Sequence, residues 1–241
     1  MSALFVSDLH LDAGRPAATD SFRRFLAGPA RQVDTLYILG DLFEAWTGDD
    51  AAGRHEQSVM QALSAFTTGG TRCCLIRGNR DFLIGSGFAR ATGVVVLDDE
   101  TVVEACGHRV LLMHGDTLCT DDRAYQRYRR IVHQRWLQAI YLSLPVGWRQ
   151  GIADFARRRS RASNAVKPDA IMDVNPAAVA QALARHGVHW LIHGHTHRPA
   201  IHVLDLDGIE GRRFVLGDWY EQGSVLRCDG GEPVLETFPL R

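Results

Sequence analysis

The sequence predicts an α/β fold, a sheet covered by helices and interrupted by a helical insertion, and three observations carry that expectation. Short apolar runs alternate with helix-like segments through the N-terminal third, as a sheet buried on both faces requires. From Val94 onward the strand-like runs become closely spaced. Between these strand-rich parts, residues 121–167 carry no strand signal and read as helix. The 241 residues suffice for one core bearing one substantial insertion. We therefore read 1–241 as a single domain with 121–167 inserted in it.

Residues 3–7 form a short apolar strand that gives way to a polar turn over 8–15, and residues 21–26 are helical. A buried strand follows at 35–39, a helix at 56–66, and a strand at 73–76 after the Gly69–Gly70 break. Residues 94–97, 101–105 and 109–113 are strands, the last two joined by a hairpin-like turn at Cys106, Gly107 and His108. Beyond the insertion, 176–186 is a helix with Asn175 as its N-cap, Pro176 in its first turn and Gly187 as its stop. Strands at 190–192, 201–204, 213–216, 224–227 and 234–238 complete the chain, several of them antiparallel.

Composition narrows the function classes. Hydrophobic residues make up 46% and charged residues 23%, ordinary values for a globule. The formal charge of -1 gives no net field for nucleic acid, and Lys167 is the only lysine among 27 basic residues. The five cysteines are odd in number and lack metal-binding spacing. With no signal-like segment before Leu4, they predict a reducing, cytoplasmic setting without a disulfide framework. No apolar run approaches the roughly 20 residues that cross a bilayer, so any membrane contact is expected to be peripheral.

The insertion carries Tyr125, Tyr128, Trp136, Tyr141, Leu142, Leu144, Val146 and Trp148, then Arg157, Arg158, Arg159 and Arg161. An aromatic core stripe with a solvated charge run is the commoner origin of such a pattern. The insertion is flanked by five short segments rich in metal-donor residues, and aromatics interleaved with arginines beside them could hold an acyl chain and an anionic head group.

Those segments are Ser7-Asp8-Leu9-His10, Gly40-Asp41, Gly78-Asn79-Arg80-Asp81, His114-Gly115-Asp116 and His193-Gly194-His195-Thr196-His197. Each follows an apolar strand-like run, at the carboxyl end where open α/β sheets place their sites. Asp8 and His10 stand two apart, as do His195 and His197, so each pair can point one way. With Asp41, Asn79 and His114 they make seven donors of carboxylate, amide and imidazole type. That set suits two divalent ions such as Mn²⁺, Fe or Zn, with the carboxylate of Asp41 as the bridge. Asp116 and Asp218 are expected to orient ligands or loops. His55, His108, His133, His186, His189 and His202 lack this context and read as structural or surface residues.

These motifs resemble the signature of the calcineurin-like metallophosphoesterases. The resemblance implies a four-layer αββα sandwich, with Asp8, His10, Asp41 and His197 around one metal and Asp41, Asn79, His114 and His195 around the other. Longer phrases narrow it: Gly48-Asp49-Asp50, Gly78 through Leu83, Leu118-Cys119-Thr120-Asp121-Asp122 after His114, and His193 through Pro199. They are similar to those of the UDP-2,3-diacylglucosamine pyrophosphohydrolases of lipid A biosynthesis. That family implies two Mn²⁺ ions, a lipid-linked nucleotide substrate, and a peripheral place on the cytoplasmic face of the bacterial inner membrane. It also implies substrate contacts from Asn79, Arg80, Asp122, Ser160, Asn164, Lys167 and His195. Catalytic roles would fall to Arg80, His195 and Asp41, in a monomer that binds no nucleic acid.

Many members of the wider superfamily carry histidine directly after the asparagine, where this chain has Arg80. Arginine stays charged and offers a planar fork to phosphate, but it is a poor proton donor. An anhydride whose leaving group needs little protonation is the substrate such a site suits. The resemblance puts attack at the uridine-side phosphorus, which would give UMP and a lipid 1-phosphate. A phosphodiesterase acting on a soluble nucleotide is the alternative, since its metal centre would be the same.

Overall fold

The computed structural model describes residues 2–164 and 173–240, the side chains of 161–164 excepted. Eleven strands occur among the described residues: β1 (Ala3–Val6), β2 (Thr35–Leu39), β3 (Arg72–Ile76), β4 (Val95–Val96), β5 (Glu100–Ala105), β6 (His108–Met113), β7 (Trp190–His193), β8 (Ala200–Leu206), β9 (Ile209–Val215), β10 (Gln222–Cys228) and β11 (Val234–Pro239). The helices are α1 (Pro16–Ala27), α2 (Arg54–Thr68), α3 (Ser86–Thr92), α4 (Arg123–Val132), α5 (Arg135–Ser143), α6 (Val146–Asn164) and α7 (Pro176–His186). One sheet runs β11-β10-β1-β2-β3-β4 and the other β5-β6-β7-β9-β8. β1, β2 and β3 are parallel, as are β6, β7 and β9, while β10 and β11 close the first sheet antiparallel.

The two-residue period of each strand builds the layers. Leu4, Val6, Leu36, Ile38 and Leu75 point into one core with Phe22, Phe25, Leu63, Phe66 and Phe88 of α1, α2 and α3. Their neighbours Phe5, Tyr37, Leu39, Cys74 and Ile76 face Val110, Leu112, Trp190, Ile192 and Phe214 across the sheets. On the far side of the second sheet, Leu111, Met113 and Leu191 meet Val179, Ala182 and Leu183 of α7. Along β1, and along β2 and β3 after their first residues, the chain is apolar because both faces are buried. The order helix, sheet, sheet, helix is the expected αββα sandwich.

α7 occupies the predicted span, with Asn175 accepting from the backbones of Ala177 and Ala178, and Gly187 in a left-handed conformation at its end. α1 begins five residues before the predicted start, at Pro16, whose fixed φ suits a first helical turn. α3 was not legible, because its glycine-flanked start reads as loop. The carboxylate of Asp49, distant in sequence, caps it by accepting from the backbones of Gly85, Gly87 and Phe88. The insertion resolves into α4, α5 and α6, broken at His133–Gln134 and at Leu144–Pro145.

One expectation is corrected. Cys106 and Cys228 form a disulfide, with Cα atoms 5.1 Å apart and 122 residues between them in sequence. An odd cysteine count excludes complete pairing but not one bond. The β5–β6 turn and the pairing of Cys228 with Ala3 bring these two together at the sheet ends remote from the metal segments. Cys73, Cys74 and Cys119 are free and buried. Closing so long a loop restricts the unfolded chain. Reduction is expected to lower the melting temperature by roughly 10 °C, and Cys228→Ser to melt equally low with or without reductant, as calorimetry would read.

Candidate metal centre

Asp8 follows β1, Asp41 follows β2, Asn79 and Arg80 follow β3, His114 follows β6, and His195 and His197 follow β7. The parallel strands of the two facing sheets thus deliver these side chains to one rim. Backbone bonds tie the loops together: Asp8 N donates to Gly40 O at 3.1 Å, His10 N to Asp41 O at 2.9 Å, and Gly194 N to His114 O at 2.8 Å. Carboxylates add further ties. Asp81 accepts from Gly78 N and Leu42 N, Asp41 Oδ1 from Arg80 N, and Asp8 Oδ2 from His195 N.

Among the described residues, seven other than glycine have positive φ, and five of them are Asp8, His10, Asp41, His195 and His197. A left-handed backbone costs of order 1 kcal/mol or more at a residue with a side chain. Its concentration in the expected ligands is strain retained at a functional site. Glycine is required nearby for a different reason. A Cβ on Gly78 would collide with Asp41, and one on Gly194 with Ser7 and Asp8.

The donor atoms form two groups with a carboxylate between them. In the first, His197 Nε2 lies 3.2 Å from Asp8 Oδ1 and 3.3 Å from His10 Nε2. In the second, His195 Nδ1 lies 3.0 Å from Asn79 Oδ1 and 3.2 Å from His114 Nε2, and His114 Nε2 lies 2.9 Å from Asn79 Oδ1. Asp41 Oδ2 stands 3.8 Å from His10 Nε2 and 3.8 Å from His114 Nε2, between the groups. The Asp8–His10–His197 and Asp8–Asp41–His114 sets each hold their donors within 4.8 Å. Imidazole nitrogens and carbonyl or carboxylate oxygens converging this closely fit a dinuclear site for Mn²⁺-like ions.

Two of the outward imidazole nitrogens are also engaged. His114 Nδ1 lies 2.9 Å from Leu39 O, and His197 Nδ1 lies 3.3 Å from Asp218 Oδ2. Glu44 Oε2 approaches His10 Nδ1 at 3.1 Å, off the hydrogen-bond direction. Such contacts fix a ring's orientation and raise its basicity toward a metal. Asp218 thus has its expected neighbour, whereas Glu44 carries no sequence signal beyond lying three residues after Asp41. Tyr220, also unforeseen, stacks on His10 at 5.0 Å beneath the Arg15 guanidinium. Asp116 accepts from Tyr125 Oη at 2.7 Å and Arg129 Nε at 2.6 Å, tying α4 to the loop after β6.

Burial disfavours a charge on His114, but Asp41, Asp8 and Asp116 outweigh it and push its pKa up to about 9. Burial, then the charge of His114, pushes His195 down to about 4. Burial alone would raise Asp8; its contacts with His197, His114 and His10 instead hold it far below the usual carboxylate range. His114 therefore carries a proton at pH 7 that a metal must displace. Titration with Mn²⁺ at pH 7 is expected to release protons, from His114 and also from His197, where burial is outweighed by contacts with Asp8 and Asp218 that raise its pKa, and affinity to rise with pH until about 9. Calorimetry in buffers of different ionisation enthalpy reads both.

The remaining expected site residues are placed less uniformly. Arg80 is half-buried, and its charge is felt by Tyr128 of α4 and by Tyr220. Asp122 is the N-cap of α4 and accepts from Tyr125 N at 3.0 Å. Ser160 is half-buried in α6. Asn164 ends α6 with its side chain outside the described residues, and Lys167 lies outside them altogether.

A family profile described as calcineurin-like phosphoesterase matches residues 1–199. The UDP-2,3-diacylglucosamine hydrolase of Serratia proteamaculans is 50% identical over 240 residues, covering all of both chains. That of Klebsiella pneumoniae is 49% identical over the same length and coverage. Vacuolar protein sorting 29 from Cryptosporidium parvum shares the fold at 15% identity and a TM-score of 0.50, over 100% of this chain and 91% of that one. With the αββα layers, the strand-end donors and these matches in agreement, the chain belongs to the calcineurin-like phosphoesterase family.

Proposed function

We infer that this chain hydrolyses the pyrophosphate bond of UDP-2,3-diacylglucosamine, giving UMP and 2,3-diacylglucosamine 1-phosphate (lipid X), an early step of lipid A biosynthesis. The observation that carries this reading is identity of about half, end to end, with hydrolases of that substrate. The donor groups around Asp41 supply the chemistry such a reaction needs. Asp8, His10, Asp41 and His197 would hold one Mn²⁺, and Asp41, Asn79, His114 and His195 the other. When bound, the two ions supply Lewis acidity to the phosphoryl oxygens and lower the pKa of water.

The protein's own groups do the rest. Arg80 donates to phosphate oxygens as charge develops, at a position where a permanent cation is held in a half-buried site. Its poor acidity suits a sugar 1-phosphate leaving group, which departs without a proton. Asn79 and His195 border the same phosphate position. Asp122, Ser160, Asn164 and Lys167 are assigned to substrate on family resemblance, the first while also capping α4. Hydrolysis in ¹⁸O-water with added Mn²⁺ tests the reading. Label in UMP supports attack at the uridine-side phosphorus, label in the lipid phosphate overturns that assignment, and no turnover overturns the substrate.

The helical insertion is the part that suits a lipid. Of fourteen large hydrophobics that are exposed among the described residues, eight lie in α4, α5 and α6, including Trp136, Trp148 and Phe155 at 63%, 69% and 64%. Arg158 and Arg159 are exposed on the same helix as Trp148 and Phe155. No helix among the described residues is long and apolar enough to cross a membrane. This arm would receive the acyl chains and rest its apolar and basic side chains on the anionic inner-membrane surface, facing the cytoplasm. Burying a large apolar side chain is worth about 1.5–3 kcal/mol. The double variant Trp148→Glu, Phe155→Glu is expected to partition about 100-fold less onto anionic vesicles in flotation assays.

A further inference from the structure

Arg149 belongs, by sequence, to the basic stretch of the insertion, yet its side chain is 1% exposed. It lies in the first turns of α6, and its fork reaches out of the insertion into the loop after β2. Nη1 donates to Thr47 O and to Asp50 Oδ1, both at 2.8 Å, and Nη2 donates to Asp50 Oδ2. Gly48 has φ of 129° between those partners, and a Cβ there would strike Nη1. From α5, Tyr141 Oη donates to the carbonyl of Arg149 at 2.8 Å, so both helices are committed to this junction.

The loop so gripped is itself bonded to the metal segments. Trp46 N donates to Arg80 O at 3.1 Å, and Arg80 N donates to Asp41 Oδ1 at 2.8 Å. The Trp46 ring is wedged against Phe43 and Phe88, with its Nε1 on Asp49. A short hydrogen-bonded path thus runs from the base of the apolar arm, through residues 46–50, to the backbone of Arg80 and the carboxylate between the two donor groups.

We propose that Arg149 is a positioning residue, latching the helical arm to the loop after β2 that is bonded to the backbone of Arg80, so that the distance between the acyl-chain surface and the phosphate position is fixed. The proposal rests on the lipid-nucleotide substrate inferred above, because only a substrate that engages both places feels that distance. The bidentate fork on Asp50 together with the Thr47 carbonyl sets position as well as attraction, which a single ammonium cannot reproduce. Misplacement of about 1 Å between reacting groups costs on the order of 100-fold in rate.

The test compares wild type, Arg149→Gln, Arg149→Lys and Asp50→Asn on UDP-2,3-diacylglucosamine and on an analogue with acetyl groups in place of the long acyl chains. Mn²⁺ content and melting temperature are measured alongside. For Arg149→Gln, kcat/KM is expected to fall about 30-fold or more on the long-chain substrate and less than threefold on the acetyl analogue, with Mn²⁺ content unchanged. Asp50→Asn should show the same selectivity, and Arg149→Lys should fall between. Equal losses on both substrates, or no loss on either, overturn the latch. Wild type that turns over neither substrate overturns the functional reading instead, and a chain-length dependence already absent in wild type overturns the coupling. If Arg149→Gln proves unstable, Asp50→Asn decides alone, since Asp50 is largely exposed.

Discussion

Asp41→Asn is expected to lower kcat/KM on UDP-2,3-diacylglucosamine by roughly 10³-fold or more and to cut bound Mn²⁺ from about two ions per chain toward one. The reason is geometric. Asp41 Oδ2 stands 3.8 Å from a nitrogen of each donor group, while its Oδ1 accepts from Arg80 N at 2.8 Å. An amide preserves the shape but removes the charge that two cations share. It also turns an NH₂ toward either the metal position or the Arg80 backbone, where an acceptor is needed. Several kcal/mol of charge stabilisation is at stake, and each 1.36 kcal/mol is tenfold in rate. Elemental analysis of dialysed protein together with steady-state kinetics checks the result. A variant with two ions and full turnover would overturn the assignment of Asp41 as the bridge. Asp8→Asn makes the comparison, because Asp8 contacts the first group through His197 and His10 and should weaken that position most.

The fold was legible because both faces of the central parallel strands β1, β2 and β7 are buried, and that burial writes itself as uninterrupted apolar runs such as Leu4 to Val6 and Leu36 to Leu39. Strand ends could be read for the same reason: the apolar run stops where a charged side chain begins. What stayed hidden depends on contacts between distant segments. Glu44 reaches His10 only through the fold of the loop after β2, and the cap of α3 comes from Asp49, distant in sequence. Cys106 and Cys228 meet only through strand pairing. Arg149 looks like one more surface cation until Asp50 is brought against it. Backbone conformation is equally silent, since nothing in the residue types Asp8, His10 and His197 announces positive φ. That strain follows from turning several donors inward over very few residues, and it is the strand-end loops, not the strands, that bear it.

Arg80→Ala is expected to lower kcat by about 10²–10³-fold with Mn²⁺ content unchanged, the usual consequence of deleting one donor aimed at developing charge. Arg80→His is the more informative exchange, because it restores the side chain that many relatives in the wider superfamily carry after the asparagine. Arginine stays protonated throughout the accessible pH range, so wild type should owe no limb of its pH–rate profile to this position. Histidine titrates near 6.5 when unperturbed, and burial beside cations would move it lower. Arg80→His should therefore lose turnover of the anhydride substrate about 100-fold at pH 7.5 and recover part of it as pH falls and the imidazole becomes cationic. If its profile parallels that of wild type, charge at residue 80 is not what the reaction uses. A gain on diesters with poor leaving groups, measured on the same variant, would locate the choice between anhydride and ester at this one side chain. The backbone of Arg80 is already bonded to Asp41 and Trp46, so the exchange alters the head group while leaving its mooring in place.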